Sequence, residues 1–577
     1  MTPGHGPLWL EDGRARFRLW APGREQVGLE LDGLGAFAMS PTGDGWFEHD
    51  ADAAPGVKYR FRIDQDLIVP DPASRAQADD VHGWSLLVGP DAYAWRHPDW
   101  FGRAWSDAVI CEVHVGLLGG FASVTERLRE LSAVGVTAIQ LMPVNAFSGS
   151  RSWGYDGVLP YAPASAYGSP DDLKALVDTA HGLGMMVLLD VVYNHFGPDG
   201  NYLPAYAEAF FDEARRTPWG PAIAFGREPV ARFFIDNAIH WLVTFRLDGL
   251  RFDAVHAIGD NGFLDRLAAE VRTRLPDRHI HLVLENEAND PVRLSAGFDA
   301  QWNDDFHNVL HVLLTDETSS YYQDFADRPA ERLARCLAEG FIYQGEGSPN
   351  HDGKPRGGAS AYLPPTAFVS FLQNHDQVGN RALGERLTTL VSQDRLRAAM
   401  GLLLMSPQIP MLFMGEESGS QTPFLFFTDF HDDLADAVRE GRRREFAKFP
   451  AFADPQARAA IPDPNAMSTF EASRPLAGPD AEDWRELISH LLRLRRDNLA
   501  PHIDGAISLG ARAIGPKAVQ AAWRLGDKTY TLAVNLGDAA TRLSPTPPGP
   551  PLVIVGDAPS QGQLPPAAFA AWLAQDP

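Results

Sequence analysis

Cysteine is scarce in this sequence. Only Cys111 and Cys336 occur among 577 residues, each within an apolar pattern and without the paired spacing of a metal site. This excludes a disulfide framework and fits a reducing compartment. The first residues show no basic stretch followed by an apolar run, so they do not indicate a secretory signal. We therefore expect a cytoplasmic protein.

The sequence also has few positively charged residues and few long apolar runs. Lys and Arg number 50 against 75 Asp and Glu, and the resulting charge of −25 repels nucleic acid and anionic membranes. The most apolar segment, residues 401–415, is interrupted by Ser, Gln and two prolines. A glycine-rich phosphate loop and an HExxH motif are both missing. We expect no nucleic-acid partner, no membrane association, no metal and no cofactor.

The pattern of short apolar runs divides the chain into three parts. Residues 1–95 alternate in short runs between Gly, Pro and Asp turns, which predicts a small antiparallel β domain. From residue 96 to residue 500, apolar strands alternate with amphipathic segments such as 169–184, which predicts an α/β protein with a (β/α)8 TIM barrel closed by a helix over 481–498. Residues 501–577 return to strand patterns and predict a C-terminal antiparallel β domain. The eight predicted barrel strands lie within residues 108–115, 137–144, 184–195, 245–255, 280–287, 298–305, 367–376 and 410–417.

Polar and ionisable residues stand at the ends of several of these strand segments. The carboxyl ends of barrel strands converge on one mouth, so these residues are expected to meet there. Arg251 and Asp253 are two apart on one strand and share a face, where the guanidinium can hold the carboxylate ionised. A single residue of this kind often belongs to a turn, a helix cap or a structural ion pair. Several of them at one end of the barrel favour an active site. The set comprises Asp190, Asn194, His195, Arg251, Asp253, Glu285, His375 and Asp376.

Four of these polar strand ends carry recognisable motifs. The segments "DVVYNH" (190–195), "GLRFDAVHA" (249–257), "LEN" (284–286) and "QNHDQ" (373–377) resemble, in order and spacing, the signature regions of the α-amylase family of glycoside hydrolases. Paired carboxylates are what glycoside hydrolysis requires.

The resemblance implies a role for each of the three carboxylates. Asp253 is expected to be the nucleophile, Glu285 the general acid/base, and Asp376 the carboxylate that stabilises the transition state. Glu287 shares a strand face with Glu285, and we favour Glu285 because it directly follows the apolar run. The residues expected to bind the sugar are Tyr155, Asp156, His195, Arg251, His256 and His375.

Further segments are similar to one branch of that family. Among them are "EVHVG" (112–116), "TPWGPAI" (217–223) and "WNDDFHN" (302–308). Enzymes of this branch cleave the α-1,4 bond next to the terminal trehalose of maltooligosyltrehalose, downstream of a maltooligosyltrehalose synthase, and carry an immunoglobulin-like N-terminal domain. The resemblance implies the same here, with maltooligosyltrehalose and related α-glucans as ligands. Trp219 and Asp305 are expected to border the trehalose subsites, although packing is an equal alternative for Trp219.

Two other functions remain compatible with the motifs. An α-1,4-glucan branching enzyme shares the N-terminal β domain, the barrel and the three carboxylates, because the acceptor is selected by loops rather than by the catalytic motifs. A non-catalytic glucan-binding protein is disfavoured, since all three carboxylates are present.

Overall fold

The computed structural model describes residues 4–64, 66–90, 93–218 and 220–575. A closed barrel of eight parallel strands lies at its centre, with consecutive strands paired and the eighth strand returning to the first. Every residue in the eight strands is buried. The strands are Ile110–Val113, Ala138–Leu141, Met186–Val191, Gly249–Phe252, His281–Leu284, Ala300–Trp302, Phe368–Phe371 and Ile409–Phe413.

These strands confirm the predicted barrel; seven lie inside their predicted segments, and the eighth begins at Ile409, one residue before its segment 410–417. They are shorter than those segments, because the polar residues that follow each apolar run leave the hydrogen-bonded ladder and enter loops. The segment 367–376 shows this most clearly. Its strand ends at Phe371, and His375–Gly379 forms a short helix because the side chain of Asn374 accepts the Gln377 N–H as an N-cap.

Helices connect the strands and cover the outside of the barrel. The helix Pro170–Gly182 illustrates the local signals: Ser169 and Asp172 form a reciprocal capping box, and Pro170 occupies the first turn. The helix Ala481–Asn498 has the bounds expected from its pattern. The other long helices are Phe121–Val134, Glu228–Thr244, Asn261–Arg274, Asp304–Thr315, Pro329–Glu339, Gln393–Met405 and Asp432–Phe446, and the short ones are Leu203–Tyr206, Val255–Ile258, Leu387–Leu390, Pro455–Ala459, Met467–Ala472 and Ala500–Ile503.

The part before the barrel consists of two antiparallel sheets. Their facing side chains, such as Phe17, Leu29 and Phe61, are fully buried and join the main core. The first sheet pairs Leu8–Trp9, Ala15–Trp20, Trp46–Ala51 and Ser40–Gly43 in that order. The second pairs Gly35–Ala38, Val27–Leu31, Lys58–Ile63 and Leu67–Val69, with Ser85–Leu86 also pairing with Lys58–Ile63.

The C-terminal part is an antiparallel sheet that packs on the barrel. Tyr530 lies in its central strand and donates its hydroxyl to the carbonyl of Met405, which ends the helix before the eighth barrel strand. The sheet order is Ile507–Gly515, Ala518–Leu525, Lys528–Asn535, Ala568–Gln575 and Val553–Val555, and a small second sheet pairs Thr541–Arg542 with Gln563–Leu564.

Two β hairpins lie in the loops at the carboxyl ends of the barrel strands. One pairs Asn145–Phe147 with Gly157–Pro163, and the other pairs Phe211–Thr217 with Gly220–Ile223. Within the residues that the structure describes, every helix is too short or too polar to cross a membrane.

Candidate active site

Asp253 and Glu285 lie side by side at the carboxyl ends of the fourth and fifth strands. Phe252 and Leu284, the residues before them, are register partners. Main-chain hydrogen bonding between neighbouring strands continues one residue beyond the strand ends. The Glu285 N–H donates to the Phe252 carbonyl at 3.0 Å, and the Asp253 N–H donates to the Val191 carbonyl at 3.1 Å. The backbone therefore holds both carboxylates at the barrel mouth.

Arg251 connects the carboxylates at this end of the barrel. Its side chain is fully buried, and Nη1 donates to Asp190 at 2.7 Å and to Asp253 at 2.8 Å. Nη2 lies 3.7 Å from Glu285, and the guanidinium stacks over the Trp302 ring with 4.1 Å between the guanidinium carbon and the ring centre. One cation thus balances three acidic side chains, with direct hydrogen bonds to two of them.

The turn after Asp253 directs a backbone donor at Glu285. Ala254 has φ of +41°, in the left-handed region that costs a non-glycine residue about 1–2 kcal/mol. In this conformation the Ala254 N–H donates to Oε2 of Glu285 at 2.5 Å. Burial, with smaller contributions from Asp253, Asp304 and Asp376 and against the opposing effect of Arg251, raises the pKa of Glu285 to about 8. Such a carboxyl can hold a proton at neutral pH.

His375 and Asp376 lie at the start of the short helix after the seventh strand. The His375 ring is stacked on Tyr155, with 5.0 Å between ring centres, and its Nε2 is 3.4 Å from Asp376. Its Nδ1 lies 2.6 Å from Glu112, which is fully buried in the first strand. Burial lowers the pKa of His375, but Asp376 and Glu112 outweigh it and raise the pKa to about 9.

Tyr155, Asp156 and His195 lie close to the same cluster. The Tyr155 hydroxyl donates to Asp190 at 2.7 Å, and Nε2 of His195 is 3.0 Å from the Tyr155 carbonyl. Burial raises the pKa of Asp156 to about 6 and lowers that of His195. The main chain at Tyr155 thus links the loop after the second strand to the loop after the third.

The polar contacts of Asp305 and His256 are with residues other than Asp253, Glu285 and Asp376. Asp305 is fully buried and accepts hydrogen bonds from the Ile342 N–H at 2.8 Å and from Asn289 at 3.1 Å, with Arg356 3.2 Å away. Both hydrogen bonds reach Oδ2, Arg356 faces Oδ1, and these partners lie in the loops after the fifth and sixth strands; the role of Asp305 at the trehalose subsites stays a prediction. His256 lies 3.8 Å from Glu287. Trp219 falls outside the described residues.

Glu285 and Glu287, the two candidates for the general acid, have different surroundings in the structure. The Glu287 side chain is 59% exposed and faces His256 and His351, whereas the Glu285 side chain is 17% exposed and lies within reach of Arg251. Burial next to other carboxylates is the environment that keeps a catalytic acid protonated. These surroundings favour the choice of Glu285.

Two further acids at the site do not appear among the predicted residues. Glu112, which is buried, contacts His375; its signals were a charge inside an otherwise apolar strand and its place at the start of the "EVHVG" segment. Asp304 precedes the predicted Asp305 in the "WNDD" segment and accepts a hydrogen bond from Gln377 at 3.3 Å. Burial, and then Asp376, raise the pKa of Asp304 to about 7. Within the described ranges, no group of three or more His, Cys, Asp or Glu side chains has an arrangement suited to a metal ion.

Known proteins match the chain over most of its length. A model of the α-amylase catalytic domain matches residues 93–217, and a domain of unknown function (DUF3459) matches residues 508–571. A malto-oligosyltrehalose trehalohydrolase of Saccharolobus solfataricus is 40% identical and covers 85% of this chain and 86% of its own length. One from Deinococcus radiodurans is 38% identical and covers 90% and 88%. A crystal structure of a putative α-amylase from Salmonella typhimurium is 44% identical and covers both chains completely, with a TM-score of 0.94.

The closed parallel barrel and the match to the catalytic domain define a glycosidase of the α-amylase family. The predicted resemblance to that family is confirmed. Within it, the chain belongs to the malto-oligosyltrehalose trehalohydrolases, because relatives of that family are 38–40% identical over 85–90% of its length.

The Arg251 network makes a prediction about stability. Arg251→Met removes the only cation that contacts Asp190 and Asp253 among the described ion pairs, leaving buried carboxylates uncompensated. We expect the variant to lose about 3–5 kcal/mol of apparent unfolding free energy, measured by urea denaturation with circular dichroism detection. Arg485→Met, on the exposed face of the helix Ala481–Asn498, is the control and should change stability by less than about 0.5 kcal/mol. Equal stability of the two variants would contradict the prediction.

Proposed function

We propose that the protein hydrolyses the α-1,4-glucosidic bond next to the terminal trehalose of maltooligosyltrehalose and releases trehalose. The observation that carries the proposal is the pair Asp253 and Glu285, held side by side on adjacent strands around Arg251. The names of the relatives, which cover most of the chain, supply the substrate. Hydrolysis at such a pair of carboxylates proceeds with retention when they lie about 5–5.5 Å apart.

The proposed reaction uses the two carboxyl groups in different protonation states. Asp253, bonded to Arg251 at 2.8 Å, attacks the anomeric carbon as a carboxylate while protonated Glu285 gives its proton to the glycosidic oxygen. Trehalose leaves, and the shortened maltooligosaccharide remains covalently attached to Asp253. Glu285, now ionised, takes a proton from a water molecule, which attacks the same carbon and restores both acids.

The sugar at the cleaved bond is proposed to bind among the buried polar groups around this pair. Asp376 and His375 would hold its hydroxyls, and the Tyr155 ring would lie beside it, with His195, Asp156 and His256 completing the subsite. Asp376 lies beside His375 and has one carboxylate oxygen bonded by Asn380. Trp219 stays a candidate for the trehalose subsite, and Asp305 is proposed to act indirectly, by fixing the loop around Ile342.

The domain limits are proposed at residues 95 and 500. The two N-terminal sheets would stabilise the barrel or extend its glucan-binding surface without supplying a catalytic group, and residues 501–577 would support the helix before the eighth strand through Tyr530. The buried free thiols of Cys111 and Cys336 support a reducing cytoplasmic location. There the protein would act after a maltooligosyltrehalose synthase.

A product assay tests the proposed function. We expect purified protein to release free trehalose from maltooligosyltrehalose and to act much more slowly on the maltooligosaccharide of equal length, because buried polar groups left unpaired by the wrong sugar oppose its binding. Chromatography of the products from both substrates measures this. Equal cleavage of the two substrates would indicate a general amylase, and new α-1,6 linkages on amylose would indicate a branching enzyme.

The assignment of the acid predicts different outcomes at two neighbouring glutamates. Glu285→Gln should lower kcat about 10²–10⁴-fold, since a side-chain amide cannot donate a proton to the leaving oxygen. The matched variant Glu287→Gln changes an exposed side chain on the same loop and should keep near-normal turnover. Steady-state kinetics with circular dichroism as a check of folding separates the two. The reverse order of losses would assign the acid to Glu287.

The pH profile should report the raised pKa of Glu285. Glu285 must carry its proton in the first step, so kcat/KM is expected to fall as the pH rises through about 8. α-Maltosyl fluoride is the control substrate, because its leaving group needs no proton. Its kcat/KM depends on the same first step but not on the proton of Glu285, so the fall near pH 8 should be absent. If the fall persisted with the fluoride, the alkaline limb would belong to another group.

A further inference from the structure

Glu112 is a carboxylate inside the barrel that the proposed reaction does not use. It lies in the first strand, Ile110–Val113, whose other residues are apolar, and it has no exposed surface. Its register partner on the second strand is Gln140, which is equally buried. A buried carboxylate is unfavourable unless other groups compensate it. The partners of Glu112 therefore indicate why it is there.

Both oxygens of Glu112 bind the same residue. Oε2 accepts the main-chain N–H of His375 at 2.9 Å, and Oε1 lies 2.6 Å from Nδ1 of the His375 ring. A main-chain contact and a ring contact together fix both the position of His375 and the rotation of its ring. The two residues are 263 positions apart in sequence, so this contact also connects the first strand to the loop after the seventh.

Aromatic rings surround the His375 ring, and its Nε2 faces a polar group. Tyr155 stacks on one face, and the rings of Trp153 and Trp302 lie 5.7 and 6.0 Å away. With Nδ1 held by Glu112, Nε2 faces Asp376 at 3.4 Å. The titratable and charged groups around His375 are Glu112 and His114 from the first strand and the loop after it, Tyr155, Asp190, Arg251 and Asp376.

We infer that Glu112 is a positioning residue of the reaction, which binds the main-chain N–H and Nδ1 of His375 so that Nε2 is presented to Asp376 and to the sugar bound there. This inference rests on the proposed function for the assignment of His375 to the sugar subsite. A carboxylate in contact with Nδ1 favours a proton on that nitrogen, and together with Asp376 it favours the doubly protonated ring. The raised pKa of His375 is consistent with this form.

An amide in place of the carboxylate tests the inference. Glu112→Gln keeps the size of the side chain but removes the anionic partner of Nδ1. We expect kcat/KM to fall about 10- to 100-fold, the range for the loss of one charge-assisted hydrogen bond. With the natural substrate the alkaline limb follows Glu285, whose pKa of about 8 lies below that of His375, about 9. Because the protonated ring is the active form, the lowered pKa of His375 should move to lower pH the alkaline limb measured with α-maltosyl fluoride, which needs no proton from Glu285.

The same substitution in a His375→Asn variant distinguishes a positioning role of Glu112 from a purely structural one. If Glu112 acts through His375, then Glu112→Gln should cause no further loss of kcat/KM in a chain that already carries His375→Asn. Gln140→Leu changes the neighbouring buried position without a contact to His375, and its alkaline limb should match the wild type. An unchanged pH profile for Glu112→Gln, or a full additional loss in the His375→Asn background, would overturn the inference.

A measurement on the unmutated chain keeps the inference testable if Glu112→Gln does not fold. Two-dimensional NMR of ¹⁵N-histidine-labelled protein, with the His375 signals assigned by their loss in His375→Asn, reports the protonation of both ring nitrogens. We expect a doubly protonated ring at neutral pH, and a neutral ring at pH 7 would overturn the inference. This readout needs no substrate, so it separates failure of the inference from failure to release trehalose.

Discussion

The barrel mouth depends on one buried guanidinium. Arg251 donates to Asp190 and Asp253 at hydrogen-bonding distance but remains 3.7 Å from Glu285. This difference separates two chemically similar acids, because Asp253 has a direct cationic partner, whereas Glu285 receives no hydrogen bond from Arg251 and burial raises its pKa to about 8. Moving the guanidinium toward Glu285 would favour its ionised form and remove the proton donor.

Such a cluster has a cost in stability that the surrounding fold must offset. Asp190 is buried and Glu285 and Asp304 are partly buried at this mouth, burial raises the pKa of each, and acids in such surroundings are retained for function rather than for folding. The supporting elements are rigid: buried barrel strands carry or precede each group, and a left-handed residue, Ala254, supplies a hydrogen bond to Glu285. We infer that stabilising this site by removing charge would lower its activity.

Local sequence patterns were sufficient for the strands but not for their ends. All eight barrel strands match, to within one residue at Ile409, apolar segments that could be recognised one at a time, because each run is short and bounded by polar residues. The start of the helix at His375 depends on a single capping side chain, Asn374, which the strand pattern conceals. Asp304 and Asp305 are adjacent at the start of the helix Asp304–Thr315, and the orientation of its first turn decides which of them lies near Asp376. The hydrophobic pattern of the sequence does not indicate that orientation.

The four motif residues Arg251, Asp253, Glu285 and Asp376 could be found from the sequence because they lie in recognisable segments at strand ends. Glu112 could not, since its partner His375 is 263 residues away and the contact forms only when the barrel closes. The available signals were a charged residue within an apolar strand and the "EVHVG" segment that begins with it, and neither indicated a contact with His375. Such a residue is worth treating as a candidate for the site even when it belongs to no catalytic motif.

The register between the fourth and fifth strands has a stereochemical consequence. Asp253 and Glu285 follow directly after a register pair, so the separation of their backbones is set by the spacing of hydrogen-bonded strands, about 4.8 Å. Retaining glycosidases place their two carboxyl groups about 5–5.5 Å apart and inverting ones roughly 6.5–9.5 Å apart, so side chains that start from adjacent strands in register are consistent with the closer arrangement. We infer that loops at the mouth can change in length and sequence, altering which glucan end or acceptor is admitted, without moving the backbones that carry the catalytic pair.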